Sequence, residues 1–417
     1  MELSAYATVF LLSSTFLLIF LFLKSSEWLL IILLIHPFYS LAFFLSFRKS
    51  DFNASSIFFD VSLIFLLIFF AIRKKTIVFD KLTLFILINT FLALGILLAV
   101  NSPQTGIAKI IALKLLLYPF AALFLGQISL KFILRLVLAL FIISIINFIF
   151  AFLQVRWGFF RFAETGVGSE QLVRFYDSRV RAPGLTPSAF YLGLLSAFQF
   201  SLSWHLVRSR IYMLKNLIRV MLSISLLLAV LNIFLSSSRT SAIFILVFVF
   251  YYEFRKSKFR FQKFFTSIIV PFTAFGTYVL LGNFAPSLVG TDSFDQRLAI
   301  WKDYLAQTNW IFGIGVGQVG SASNSSFANP NSARFVDNQY LNFFMQFGIF
   351  FVCFFLIILT IMWRKTDVFG RSLLVALGTA AIFLEVWEYT SLSFMVVLFA
   401  SQKNRDALVS YQSKIDS

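Results

Sequence analysis

The chain has 417 residues, of which 59% are hydrophobic and 13% charged, and its mean hydropathy is +0.89. A soluble domain is roughly half apolar and a quarter charged, so this chain cannot cover its own surface with polar groups and must be solvated by lipid. Lys+Arg 35 against Asp+Glu 18, a formal net charge of +17, would suggest nucleic acid in a soluble protein, but here the cations lie beside a bilayer and are read first as topology.

Apolar runs fall at 5–23, 28–47, 56–72, 82–100, 107–125, 132–154, 187–206, 217–235, 241–254, 265–282, 339–363 and 371–387, with a short one at 391–401. Most have the roughly 17–25 residues that span a hydrocarbon core of about 30 Å, and the short alternating segments of an outer-membrane barrel are absent. The fold expected is an all-α polytopic membrane protein, a single integral membrane domain over 1–417 with about 12 transmembrane helices, to within one. The first run follows Glu2 with no basic stretch before it, which favours a retained helix over a cleaved signal peptide. His36 and Pro37 interrupt the second run, and Glu385 and Glu388 break the last stretch. The one cysteine, Cys353, excludes an internal disulfide and a cysteine-based metal site.

Two gaps, 155–186 and 283–338, are too long to be turns and too short to bury cores of their own, so both are expected as caps on the helix bundle. Assigning alternate loops to opposite sides puts 22 of the 35 cations on one side and 11 on the other, with Lys109 and Lys114 inside a helix. The richer side is cytoplasmic by the positive-inside rule, so both long loops face outward. Nine of the eleven outward cations lie in those loops or at Arg239, where the orientation rule prefers none.

In chain order, Lys109 lies near enough to the outer end of its helix to snorkel, whereas Lys114 is about a turn and a half deeper, where an ionisable group is a functional candidate. Asp60, Glu385 and Glu388 are its conceivable partners. The first long loop carries Arg174, Asp177, Arg179 and Arg181, then Ala182-Pro183-Gly184-Leu185-Thr186-Pro187-Ser188 at a helix mouth, where Pro183-Gly184 marks a turn and Pro187 suits a first helical turn. Ser236-Ser237-Ser238-Arg239-Thr240-Ser241 reads as a turn between two hydrophobic helices. An arginine there either snorkels or grips an anionic phosphate bidentately, with hydroxyls as further donors.

In the second long loop Ser293 and Gln296 form a capping box, and Phe294, Leu298, Trp301 and Leu305 recur at helical spacing, predicting a surface helix with Arg297 near its start and Lys302 beyond. That helix is either an interfacial anchor or a bearer of functional arginine. The following Gly313-Ile314-Gly315-Val316-Gly317-Gln318-Val319-Gly320 contains a literal G-x-G-x-x-G, but it follows a helix where a dinucleotide fingerprint needs a strand. Its glycines are read instead as letting the backbone approach a ligand or a neighbouring helix. Arg334-Phe335-Val336-Asp337-Asn338-Gln339-Tyr340-Leu341 closes the loop. Asp337 there is either a helix cap or a carboxylate able to accept a proton from a sugar hydroxyl. His36 and His205 are expected to be packing or interfacial residues, and no carboxylate cluster has metal-ligand spacing, so no metal and no cofactor are expected.

The order R-A-P-G-L-T-P-S, S-S-S-R-T-S, R-L-A-I-W-K, F-G-I-G-V-G and D-N-Q-Y-L-N-F-F-M-Q-F-G-I-F resembles the superfamily of O-antigen polymerases (Wzy) and O-antigen ligases, bacterial envelope glycosyltransferases of GT-C-like fold. The resemblance implies a glycosyltransferase of the bacterial inner membrane that takes undecaprenyl-pyrophosphate-linked glycans on its outer face, without nucleic acid, metal or cofactor, alongside a chain-length regulator. Arg239 and Arg297 match the family's arginines and would bind the pyrophosphate, with Arg181 and Lys114 as further candidates. Asp337 would be the catalytic carboxylate, and Asn338 and Tyr340 would orient the acceptor glycan. The ligase branch commonly has histidine where this chain has Asp337, which favours a polymerase over a ligase acting on lipid A core. A transporter or flippase of an anionic lipid is the reading from another class, but few ionisable groups lie at mid-membrane and alternating access does not need two long one-sided loops.

Overall fold

A bilayer core has no water to satisfy backbone N–H and C=O groups, so a spanning segment must satisfy them internally, and helices dominate accordingly. The computed structural model describes residues 102–124, 128–157, 174–176, 179–186, 188–209, 216–257, 292–320, 336 and 338–401, with isolated helical positions at Ile31, Leu34 and Ile96. Among the described residues run α1 (Gly106–Ala121), α2 (Leu130–Trp157), a hairpin of β1 (Arg174–Tyr176) and β2 (Arg179–Arg181), α3 (Ala189–Arg208), α4 (Asn216–Ser236), α5 (Arg239–Lys256), α6 (Asp292–Ala306), α7 (Gln339–Lys365), α8 (Val368–Ala380) and α9 (Thr390–Ala400). Four of them, α2, α3, α4 and α7, are long and apolar enough to cross a membrane. The predicted runs at 5–23, 56–72 and 265–282, and all but the isolated positions of those at 28–47 and 82–100, lie outside the described residues.

By packing, the chain divides into two compact units, and the boundary falls within α5. The first comprises Met1–Thr76, Phe124–Ile245 and Asn404–Ser417. In it α3 lies against α4 and α2. The spanning window of α3 is 72% buried against 33% in α2 and α4, so α3 is the enclosed helix while the other two keep broad apolar faces for lipid. Polar side chains join the three helices where lipid offers no alternative partner. Gln199 Nε2 donates to Ser225 Oγ at 2.8 Å, Ser203 and Ser225 hydroxyls meet at 3.0 Å, and Asn232 Nδ2 donates to Ser144 Oγ at 2.9 Å. His205 is buried in α3, as a packing histidine would be.

The second unit comprises Ile77–Leu123 and Leu246–Lys403. Its centre is aromatic: Phe343 and Trp387 each pack edge to face on Phe355 of α7, with centroids 4.9 Å apart in both pairs, and Phe120 of α1 meets Phe355 edge to face at 6.4 Å. The apolar stretch 371–387 ends as a helix at Ala380 and continues as a turn and a 3-10 segment at Val386–Glu388. The shortening follows from what that turn does: Trp387 N donates to Gln339 Oε1 at 2.8 Å, and the indole N–H reaches Leu116 O at 3.1 Å. From Ser391 to Ala400 every residue of α9 is buried, so this 11-residue helix is a core helix against α1 and α8, too short to be a span.

α7 is not the continuous helix that the run at 339–363 suggests. Gly348 has φ 74 and ψ −177, and the helix is broken there into two pieces. The break admits residues 309–314, which lie alongside α7: Ile349 N donates to Trp310 O at 2.9 Å and Ile314 N to Met345 O at 2.7 Å.

Candidate functional site

In the first unit, α4 ends at Ser236, Ser237 turns the chain through a left-handed conformation (φ 49), and α5 starts at Arg239. The predicted turn is therefore present. A non-glycine residue in that conformation costs about 1–2 kcal/mol, a local strain of the kind that accumulates at functional sites. Ser238 caps α5, its Oγ accepting from Ser241 N at 3.4 Å and pairing with Ser241 Oγ at 2.6 Å. Ser236, Ser238, Thr240 and Ser241 are all buried, and Arg239 is half-buried.

The mouth of α3 is built against this turn. Ala182 N donates to Leu235 O at 3.2 Å, tying the end of β2 to the end of α4. Gln154 of α2 clasps Gly184 from both sides, accepting its N–H at 2.9 Å and donating to its carbonyl at 3.0 Å, and Asn147 accepts Leu185 N at 2.8 Å. Ser188 then caps α3 by accepting Tyr191 N at 3.2 Å. Arg181 stands with its guanidinium 5.4 Å from the Phe190 ring centroid, over the first turn of α3. In the hairpin, Arg174 and Arg181 are register partners, so two arginine positions face one another across a ladder of three pairs.

What lets α5 approach α3 is Gly193, a residue without a sequence signal of its own. A Cβ there would lie 2.5 Å from both Ser238 Cβ and Ser241 Oγ. Two helix N-termini, both serine-capped, are thus brought side by side, with Arg181 at one and Arg239 at the other. Helix N-termini carry positive partial charge and arginine adds a full one, so this corner of the unit concentrates positive potential. Gly193→Ala is expected to push Ser238 away and lower stability by about 1–3 kcal/mol through overpacking, read as a drop of several degrees in melting temperature in detergent. An unchanged melting temperature would show that the contact can relax freely.

In the second unit a chain of buried polar groups runs inward from the glycine loop. Gly317 N donates to Gln346 Oε1 at 2.8 Å, Gln346 Nε2 donates to Asn342 Oδ1, and Asn342 Nδ2 donates to Glu385 Oε1 at 2.7 Å. Asn342 and Gln346 stand one turn apart on α7, so one helix face reads both the loop and the carboxyl. Glycines 313, 315, 317 and 320 all have positive φ. A Cβ at Gly313 would meet Met345 O at 2.5 Å, and one at Gly317 would meet Ala108 O at 3.2 Å. The glycines thus serve close backbone approach, as expected. Asn342→Leu removes a donor to Glu385 and an acceptor for Gln346 together, and is expected to cost about 2–4 kcal/mol, measured as a lowered unfolding midpoint. A midpoint shift equivalent to less than about 0.5 kcal/mol would contradict the role given to this chain of bonds.

The residues singled out from sequence are placed as follows. Arg181 and Arg239 both belong to the first unit, on segments joined by the bond from Ala182 N to Leu235 O. Lys114, Asn338, Tyr340 and the helix bearing Arg297 belong to the second, and Asp337 lies outside the described residues. Lys114 sits 5.5 Å from the Tyr118 ring centroid on its own helix. Arg297 lies in the first half of α6, which starts at Asp292, one residue before the serine expected to cap it. Trp301 and Tyr304 of that helix pack on Val319, Val336 and Met345, fixing α6 to the loop and to α7. Asn338, rather than Asp337, caps α7, accepting Leu341 N at 3.0 Å, and Tyr340 donates its hydroxyl to Gly378 O at 3.0 Å. Gly193, Asn342 and Gln346 and the buried Gln318 are the residues that sequence reasoning missed, while Glu385 was in view as a helix break and a conceivable partner of Lys114, without its bond to Asn342. Gln318 was in view only as part of the glycine run.

A helical membrane protein with an arginine-bearing, serine-capped corner is the class that these features define. Residues 224–356, about a third of the chain, match the family Wzy_C, described as O-antigen ligase, which supports the O-antigen polymerase and ligase superfamily suggested by the motifs. The matched stretch runs from α4 across the Arg239 turn, α6 and the glycine loop into α7. Among curated proteins none matches the chain.

Proposed function

We propose that the protein is a membrane glycosyltransferase of envelope polysaccharide assembly, a polymerase that joins oligosaccharide repeats carried on undecaprenyl pyrophosphate. The observation that carries this reading is the corner that bears Arg181 and Arg239, of which Arg239 falls within the stretch that matches the O-antigen ligase family. The reaction transfers the growing glycan from its pyrophosphate to a hydroxyl of the next lipid-linked repeat. The glycosyl–oxygen bond to phosphate breaks, the new glycosidic bond forms, the hydroxyl proton is lost to a base, and lipid pyrophosphate departs. Arginines suit the developing charge on that leaving group because they hold phosphate oxygens in a fixed fork and stay protonated.

In this reading, which for each of these residues rests on the resemblance, Arg239, Arg181, Arg297 and Lys114 are the candidates for the pyrophosphate, Asp337 takes the hydroxyl proton, and Asn338 and Tyr340 serve the acceptor side through the helix mouth they help to fix. The protein would reside in the bacterial inner membrane with about 12 spans and both long loops outside, and a chain-length regulator would be its partner. A polymerase is favoured over a ligase by Asp337 standing where the ligase branch has histidine. Deleting the gene separates the two. A polymerase deletion leaves surface glycan with a single repeat, whereas a ligase deletion leaves full-length polymer stranded on its carrier lipid and would refute the polymerase assignment.

A further inference from the structure

Gln318 is 5% exposed, and its side-chain nitrogen is buried with no hydrogen-bond partner among the described residues. A buried amide donor left unmade carries its full desolvation penalty, and nearly all such groups in folded proteins are paired. The loop cannot easily relieve it. Ser102 Oγ donates to Val316 O at 2.7 Å, Gly317 N is held by Gln346, and Gln318 N itself reaches Gly315 O at 3.4 Å. A second orphan lies at the start of α7, which carries Gln346 and so holds the loop: Val319 and Val336 share one apolar cluster, and three residues beyond Val336 the Gln339 amide nitrogen is likewise buried without a hydrogen-bond partner among the described residues, its oxygen being taken by Trp387 N. Trp301 and Tyr304 pack on the same cluster.

The surroundings define what the donors await. The side chains that hold the loop and the start of α7 are Ser102, Gln346, Asn342 and Glu385, none of them a cation. A phosphate would find no compensating charge among these partners, so the missing acceptor is a neutral oxygen.

We propose that the loop 313–320 and the start of α7 form a subsite for neutral sugar, with Gln318 and Gln339 donating to glycan hydroxyl oxygens beside Trp301 and Tyr304. This rests on the glycan-transfer reading and adds to it a place where the sugar is held. The test uses the detergent-purified full chain and two probes, the oligosaccharide repeat released from the host's own surface polysaccharide and inorganic pyrophosphate, with binding followed by saturation-transfer NMR. Wild type should bind the oligosaccharide, and Gln318→Leu should bind it about tenfold more weakly or worse, the loss of one hydrogen bond, while pyrophosphate binding and melting temperature are kept. Should the leucine variant fail to fold, Gln318→Asn, which draws the donor back by one carbon, must show the same loss. Gln339→Glu, which keeps an acceptor for Trp387 N but removes the donor, should weaken the oligosaccharide as well. Undiminished oligosaccharide binding in the Gln318 variant, none in wild type, or a loss of pyrophosphate binding instead would overturn the subsite. Failure of the transfer reading shows separately, as pyrophosphate binding that survives Arg239→Ala.

Discussion

Arg239→Ala is expected to lower glycan transfer by about two to three orders of magnitude while the purified protein melts within a few degrees of wild type. The rate should fall because the departing pyrophosphate gains charge as its bond to the sugar breaks, and a donor set in place beforehand stabilises that charge most in surroundings poor in water. Stability should be little affected because Arg239 is half-buried at the first position of α5, where a cation opposes the positive end of the helix. A structural role alone would hardly place it there. Arg239→Lys keeps the charge and loses the fork, so it should fall between alanine and wild type. Transfer by the alanine variant at more than about a tenth of the wild-type rate would remove Arg239 from the site.

The second large effect is structural. Gly348→Ala should cost about 4 kcal/mol or more, or leave the protein unfolded in detergent. At φ 74 and ψ −177 the backbone is in a region essentially restricted to glycine, and a Cβ would fall on the Ile311 carbonyl. Either the segment 309–314 is expelled from its place beside α7, or α7 distorts around it. Expulsion would expose residues 309–320 to protease and break the bond from Gly317 N to Gln346. A variant with wild-type melting temperature and wild-type protease resistance in that loop would mean that the packing at Gly348 is dispensable.

The sequence carried the helices because lipid solvation writes them as apolar runs, and α4 and α5 match the predicted runs within two residues at each end and α2 within three. The helix 292–306 was legible from one amphipathic stripe, and the Ser236–Ser241 turn from a polar break between two spans. What stayed hidden depends on long-range pairing. Glu385 reads as a helix breaker until Asn342, 43 positions away, is seen to donate to it, and Gln346 gives no sign that its partner is a backbone N–H 29 positions earlier. Gly193 lies in an unremarkable apolar run because its role is to be absent where Ser238 packs. The break in α7 had a local signal, a glycine inside an apolar helix, but sequence cannot tell a tolerated glycine from one that a neighbouring backbone requires. The cap of α7 fell to Asn338, one residue past the aspartate considered for it.

The central claim, that this chain lengthens a lipid-linked glycan, is tested most directly by supplying the purified full-length protein with undecaprenyl-pyrophosphate-linked repeat units from its own host as both donor and acceptor. The account predicts a ladder of products spaced by one repeat, formed without added metal or nucleotide sugar and lost in Arg239→Ala. A folded preparation that leaves the single-repeat lipid untouched, or that transfers it only when lipid A core is added, would contradict it.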